Sequence, residues 1–382
     1  MLAMIGGLWS GLLRLGWAGP FLHPGLPDAH GPLMICGFLG TVISLERAVA
    51  LDRTWAYLAP AMTGAGGLMV LAGFGGALGP LLVMVGSVTL VAIFGVVLSI
   101  QAAPFAVVMA GGAGAWAVGN ALWLGGLSVH GVVPWWIGFL VLTIAGERLE
   151  LSRMLFHARW TRWLFLGLVG LLGLGMSLSV SAPDLAFRGM GVVLGAIALW
   201  LTVYDVARRT VQETGLPRFI AVCLLAGYGW LLVGGGFAFL FGNPGGGLLY
   251  DATLHAVFVG FVFSMIFGHA TVIFPSVLGI SIPYRPTFYV HVGLLHASLG
   301  LRLVGDLLAI GQLRWWGAWL NAGAILIFLG LTAFSALRGT ETDDASAGPP
   351  IALHLDGART DEALAASHAP TEDIPDLQLE TE

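Results

Sequence analysis

The stretch GFLGTVISLER, Gly37 to Arg47, returns as GFLVLTIAGER, Gly138 to Arg148, shifted by 101 residues. Under that shift Gly37, Phe38, Leu39, Ile43, Glu46 and Arg47 fall on Gly138, Phe139, Leu140, Ile144, Glu147 and Arg148. Each copy is an apolar run that ends on a carboxylate next to a guanidinium. The surrounding chain has the same character: of 382 residues 57% are hydrophobic and 10% charged, and the mean hydropathy is +0.90. A soluble domain carries about a quarter charged residues, which excludes that class. A helix crossing a bilayer needs roughly 20 apolar residues. About twelve such runs follow one another, centred near residues 10, 40, 64, 88, 113, 141, 171, 196, 230, 263, 296 and 326. The expected fold is therefore an all-α, polytopic membrane protein. The first run lacks an upstream basic region and a small-residue cleavage site, so it reads as a retained span.

Every cation is an arginine. With an even number of spans, alternate loops hold Arg47 and Arg53, then Arg153, Arg159 and Arg162, then Arg208, Arg209 and Arg218, then Arg285, then Arg338. The opposite loops hold Arg188, Arg302 and Arg314. The excess marks the cytoplasmic side, so both termini are expected in the cytoplasm, in a bacterial inner membrane. Trp135, Trp136, Trp315 and Trp316 fall at outer boundaries, and Trp55, Trp160 and Trp163 at inner ones, as an aromatic belt requires. Residues 1–338 form the expected twelve-span domain. From 339 to 382 the chain carries eleven acidic residues against one arginine, a composition that reads as a disordered cytoplasmic tail. The two cysteines, Cys36 and Cys223, lie in apolar runs and suggest neither disulfides nor thiolate metal sites.

A third, fainter copy of the opening motif lies 223 residues on, with Gly260, Phe261, Ile266 and, in place of the glutamates, His269. Copies in the second, sixth and tenth spans predict three four-helix units inserted with one orientation around an axis along the membrane normal. The plainer alternative is that Glu-Arg only marks the inner boundary of two similar helices. Twelve helices in three arcs look like the architecture of heme–copper oxidase subunit I. The second span opens with HGPLMICGF and the tenth with LHAVFVGF, which resemble the NnrS family of bacterial heme- and copper-containing membrane proteins linked to nitric-oxide stress. Of that family's His-Ala-His-Glu-Met-x-x-Gly-Phe pattern, His30, Met34, Gly37 and Phe38 match, while Pro32 and Leu33 replace the second histidine and the glutamate. Leu254, His255, Ala256 and Gly260 match its Leu-His-Ala-x-x-x-Gly, and the His-Thr-Gly-Arg that follows in the family is absent. The resemblance implies heme and copper as cofactors.

The residues bear on the same question. An ionisable group inside a span is a functional hypothesis by default. His30 and His255 precede their Gly-Phe pairs by seven and five residues, a difference in depth of about 3 Å at helical rise. Two neutral imidazoles at one depth are what a six-coordinate heme iron needs; the alternative is that each caps a helix at the interface. Arg14 and Arg302, near the outer ends of spans one and eleven, are the candidate partners of heme propionates, with snorkelling as the alternative for Arg14. His269, His291 and His296 form a second candidate cluster, for copper or another heme. Glu46, Arg47, Glu147 and Arg148 are expected to pair across the inner mouth, or to admit protons. Three function classes follow: a heme-binding, and on the copper reading also copper-binding, protein of nitric-oxide or metal stress or of membrane redox chemistry with an electron donor; a small-solute or ion transporter; and a non-catalytic assembly subunit. Whether the first is an enzyme is left open by the sequence.

Overall fold

The structure, a computed structural model, describes residues 1–20, 22–74, 76–152, 159–279 and 281–339. Twelve apolar helices follow in order: α1 (Leu2–Arg14), α2 (Leu26–Leu51), α3 (Thr54–Ala72), α4 (Leu78–Ile100), α5 (Pro104–Leu124), α6 (Val129–Leu151), α7 (Arg159–Leu178), α8 (Pro183–Tyr204), α9 (Gly215–Phe241), α10 (Leu248–Val277), α11 (Phe288–Leu307) and α12 (Gly311–Leu337). No strand occurs among the described residues. Arg153, His157 and all of the expected tail except Gly339 lie outside them.

Eleven of these helices, α2 to α12, are long and apolar enough to cross a membrane. The first of the about twelve expected runs, α1, is shorter. Its 13 residues rise about 20 Å, less than the roughly 30 Å of a bilayer core. The helix stops where Gly16 takes φ +83°. The Gly16 amide then turns back to the Leu13 carbonyl and the Trp17 amide to that of Leu12, the paired closure in which only glycine fits without strain.

Helices adjacent in sequence pack side by side, and α1 closes the circuit by touching α12 as well as α2 and α3. Across the middle, α10 meets both α2 and α6. The most buried helix is α6, with 78% of its apolar window inside the protein against 22% for α7. Gly37, Gly138 and Gly260 are all buried. A Cβ on Gly37 would stand 3.2 Å from the Gly67 Cα of α3, so α2 and α3 meet backbone to backbone, the close approach small residues allow.

Two helices depart from regular α geometry at the same place. Leu33–Gly40 in α2 and Ala256–Phe263 in α10 are π-helical, eight residues each. They are separated by 223 residues, the offset that superimposes Gly37 on Gly260. A wider turn loosens the backbone ladder, and a hydroxyl one turn on supports it in both cases. Thr41 Oγ1 donates to the Gly37 carbonyl at 2.8 Å, and Ser264 Oγ donates to that of Gly260. Segments of this kind are frequent at functional sites. Trp55, Trp160, Trp163 and Trp316 of the expected aromatic belt are exposed. Trp136 is a correction: it is fully buried and donates its Nε1 proton to Asn120 Oδ1 at 3.0 Å, since a buried indole N–H needs an acceptor.

Candidate functional site

Near the end that the arginine pattern assigns to the outside, residues of α1, α2, α6, α10, α11 and α12 wall a cavity of about 540 Å³. His30 enters it from α2 and His255 from α10, the latter one residue before its π segment. Their ring centroids are 6.2 Å apart and their planes lie within 13° of parallel. His30 Nδ1–H donates to the Gly7 carbonyl at 2.7 Å. His255 Nδ1–H donates to the Asp251 carbonyl at 2.8 Å, with the Asp251 Oδ1 at 3.4 Å. A carbonyl only accepts, so both rings carry the proton on Nδ1 and keep Nε2 as a lone-pair donor. Helix α1 is shaped for this contact. Gly7 and Gly11 lie one turn apart on one face, and a Cβ on Gly11 would stand 2.8 Å from His30 Nδ1. The run GGLWSG is therefore the seat of an imidazole.

An ion network backs His255. The Asp251 Oδ2 receives Arg302 at 2.7 Å from Nη2 and 3.2 Å from Nε, with Arg314 Nη2 at 3.6 Å. Arg314 Nε in turn lies 2.8 Å from Asp306. Arg302, a candidate propionate partner by sequence, is engaged by Asp251. Arg14 lines the cavity and has no acidic partner among the described residues. Two further cavity-lining groups, the Tyr250 hydroxyl and Asn321 Oδ1, are buried without a hydrogen-bond partner.

At the inner end, Glu46 and Glu147 share one guanidinium. Arg47 Nη2 lies 3.0 Å from Glu46 Oε1 and also contacts Glu147 Oε1. Arg148 turns away from both. Its Nε and Nη2 clasp the two oxygens of Asp205 at 2.7 and 2.8 Å, the forked geometry that guanidinium favours. Tyr228 and the Ala207 amide also donate to Asp205. Asp205 and Tyr228 were missed in the sequence, where nothing in the local pattern ties Asp205 to an arginine 57 residues earlier. Asp251 did carry a signal, because it stands one turn before His255, a spacing at which helical side chains meet.

His269, His291 and His296 do not converge. His269 donates from Nδ1 to the Met265 carbonyl and accepts Arg148 Nη1 at 3.3 Å on Nε2. His291 is buried among Phe219, Phe267, Phe288 and Phe328. His296 accepts the Trp230 indole N–H at 2.9 Å. Among the described residues no three histidine, cysteine or acidic side chains gather to hold a metal ion. The three candidates for copper or a second heme thus make three separate sets of interhelical contacts.

Fold and cavity together define a class: an all-helical protein with eleven membrane-length helices and a closely set imidazole pair in a cavity near one end. By sequence, residues 1–337 match a family described as a domain of unknown function (DUF8744), and the chain belongs to it. No curated protein matches the chain.

Proposed function

We propose that this protein is a heme-binding integral membrane protein of the bacterial inner membrane, with His30 and His255 as the two axial ligands. The observation that carries the reading is the spacing of the rings. Metal–imidazole bonds of about 2 Å separate the two nitrogens by about 4 Å, and a ring radius at each end gives a centroid spacing of about 6 Å; the rings stand 6.2 Å apart. Further support comes from the hydrogen bonds behind each ring, since an Nδ1–H held by a carbonyl fixes the tautomer and orientation of a ligating histidine. The cavity, about 540 Å³, lies in the range of cofactor sites, about 300–1,000 Å³. Its walls include Met34, Val133, Phe258 and Phe263. The resemblance to the NnrS family points to the same cofactor.

Bound there, a heme supplies reversible one-electron chemistry. The residues of the chain do the rest. The Gly7 carbonyl and Asp251 hold the two imidazoles, Arg302 and Arg314 hold Asp251, and apolar side chains such as Met34, Phe258 and Phe263 would flank a bound heme. With both His30 and His255 as ligands a heme iron would have no open position, which would favour electron exchange with a donor over turnover at the metal. We read α2, α6 and α10 as the inner helices of three four-helix units, on the shared offset of the π segments and the meeting of Glu46, Glu147 and His269 near Arg47 and Arg148. The arginine-rich loops place both termini in the cytoplasm.

Absorbance of the purified protein tests the proposal: a Soret band with sharp low-spin α and β bands is expected, and heme-free protein after expression with added heme precursor would overturn it.

A further inference from the structure

The Tyr250 hydroxyl is the most conspicuous loose end in the cavity. Tyr250 is 8% exposed, its oxygen has no hydrogen-bond partner, and the residue lines the cavity. A buried hydroxyl left unsatisfied costs about 1–3 kcal/mol, so a native protein has a use for it. Its surroundings indicate what would satisfy it. The His130 ring packs against it, centroids 5.1 Å apart, and His130 also lines the cavity. Arg14 also lines the cavity and carries no acidic partner among the described residues. The other two arginines of the cavity are spoken for by Asp251 and Asp306. Asp28 also lines the cavity, on α2, and makes no ion pair with Arg14 among the described residues.

We infer that Arg14, Tyr250 and His130 form a carboxylate-binding subsite beside the imidazole pair. One guanidinium balances one carboxylate and presents two parallel N–H donors to its oxygens, and the phenol adds a third donor from a different helix. Two sources share this chemistry: a heme propionate, which rests on the heme reading above, and a free small carboxylate, which does not.

The test uses the full-length protein in detergent and titrates heme, heme dimethyl ester and benzoate. Wild type is expected to bind heme about tenfold or more tightly than the ester, about 1.4 kcal/mol per factor of ten. Arg14→Gln should bring the two to near equality and Tyr250→Phe should close part of the gap. Arg14→Lys should recover part of it, and Arg188→Gln, which leaves the cavity untouched, should change nothing. If neither porphyrin binds, but benzoate binds to wild type and to His30→Ala and not to Arg14→Gln, the subsite stands as a free-carboxylate site and the heme reading fails. Equal binding of heme and its ester, with no benzoate binding that depends on Arg14, overturns the subsite whether or not heme binds.

Discussion

The two ends of the molecule use the same residue types to opposite effect. At the inner end, Arg148, Asp205, Tyr228 and His269 satisfy one another: both oxygens of Asp205 and both nitrogens of His269 are engaged. At the outer end, His30 and His255 each spend one nitrogen on a carbonyl and turn toward a cavity that also holds an unpartnered phenol. Helices α2, α6 and α10 contribute to both ends. What separates a structural histidine from a candidate ligand is thus whether a nitrogen is left over next to open space; depth in the membrane does not decide it.

The inner end should therefore respond to substitution through stability, and the outer end through ligand binding. The largest expected effect is at Arg148. Arg148→Met leaves Asp205, 2% exposed, as an unpaired buried charge, and should destabilise the fold by about 3–5 kcal/mol. The double variant Arg148→Met/Asp205→Leu should recover most of that loss in a denaturation series, and failure to recover would show that the pair does more than hold helices together. At the outer end, Gly11→Val places a branched side chain against His30. On the heme reading it should strip heme from the purified protein, with thermal unfolding close to that of heme-free wild type, and a variant that retains the wild-type spectrum would break the contrast. Tyr228→Phe removes one donor to a charged acceptor that keeps its other three, and should cost about 1.5–3 kcal/mol with no change in ligand content. Arg188→Gln should be the mildest. Its exposed ion pair with Asp184 is screened by solvent, and unfolding should match wild type within error.

Much of this was legible in the sequence, for reasons that differ by region. Apolar run lengths located the helices, because lipid demands continuous hydrophobicity wherever a helix is exposed to it. His30 and His255 stood out because imidazole in such a run is costly without a purpose. The shortness of α1 was not legible, since it depends on a left-handed Gly16 inside a stretch that stays apolar on both sides. The π segments were hidden as well: Leu33–Gly40 and Ala256–Phe263 have ordinary apolar compositions, and only the shared offset connects them. The partner of Arg148 could not be read because ion pairs between distant helices follow from packing, which brings Asp205 over from the far end of α8. The surroundings of the copper candidates could not be read for the same reason. His291 and His296 share a helix, but neighbouring helices enclose one in phenylalanines and give the other to Trp230.

The central claim is that His30 and His255 hold one iron between them. Heme content and low-temperature absorbance of His30→Ala, His255→Ala and the double variant test it most directly, with His291→Ala as the control. Each outer variant is expected to lose the sharp α and β bands, and His291→Ala to keep them. A double variant with wild-type heme content and an unchanged low-spin spectrum would contradict it.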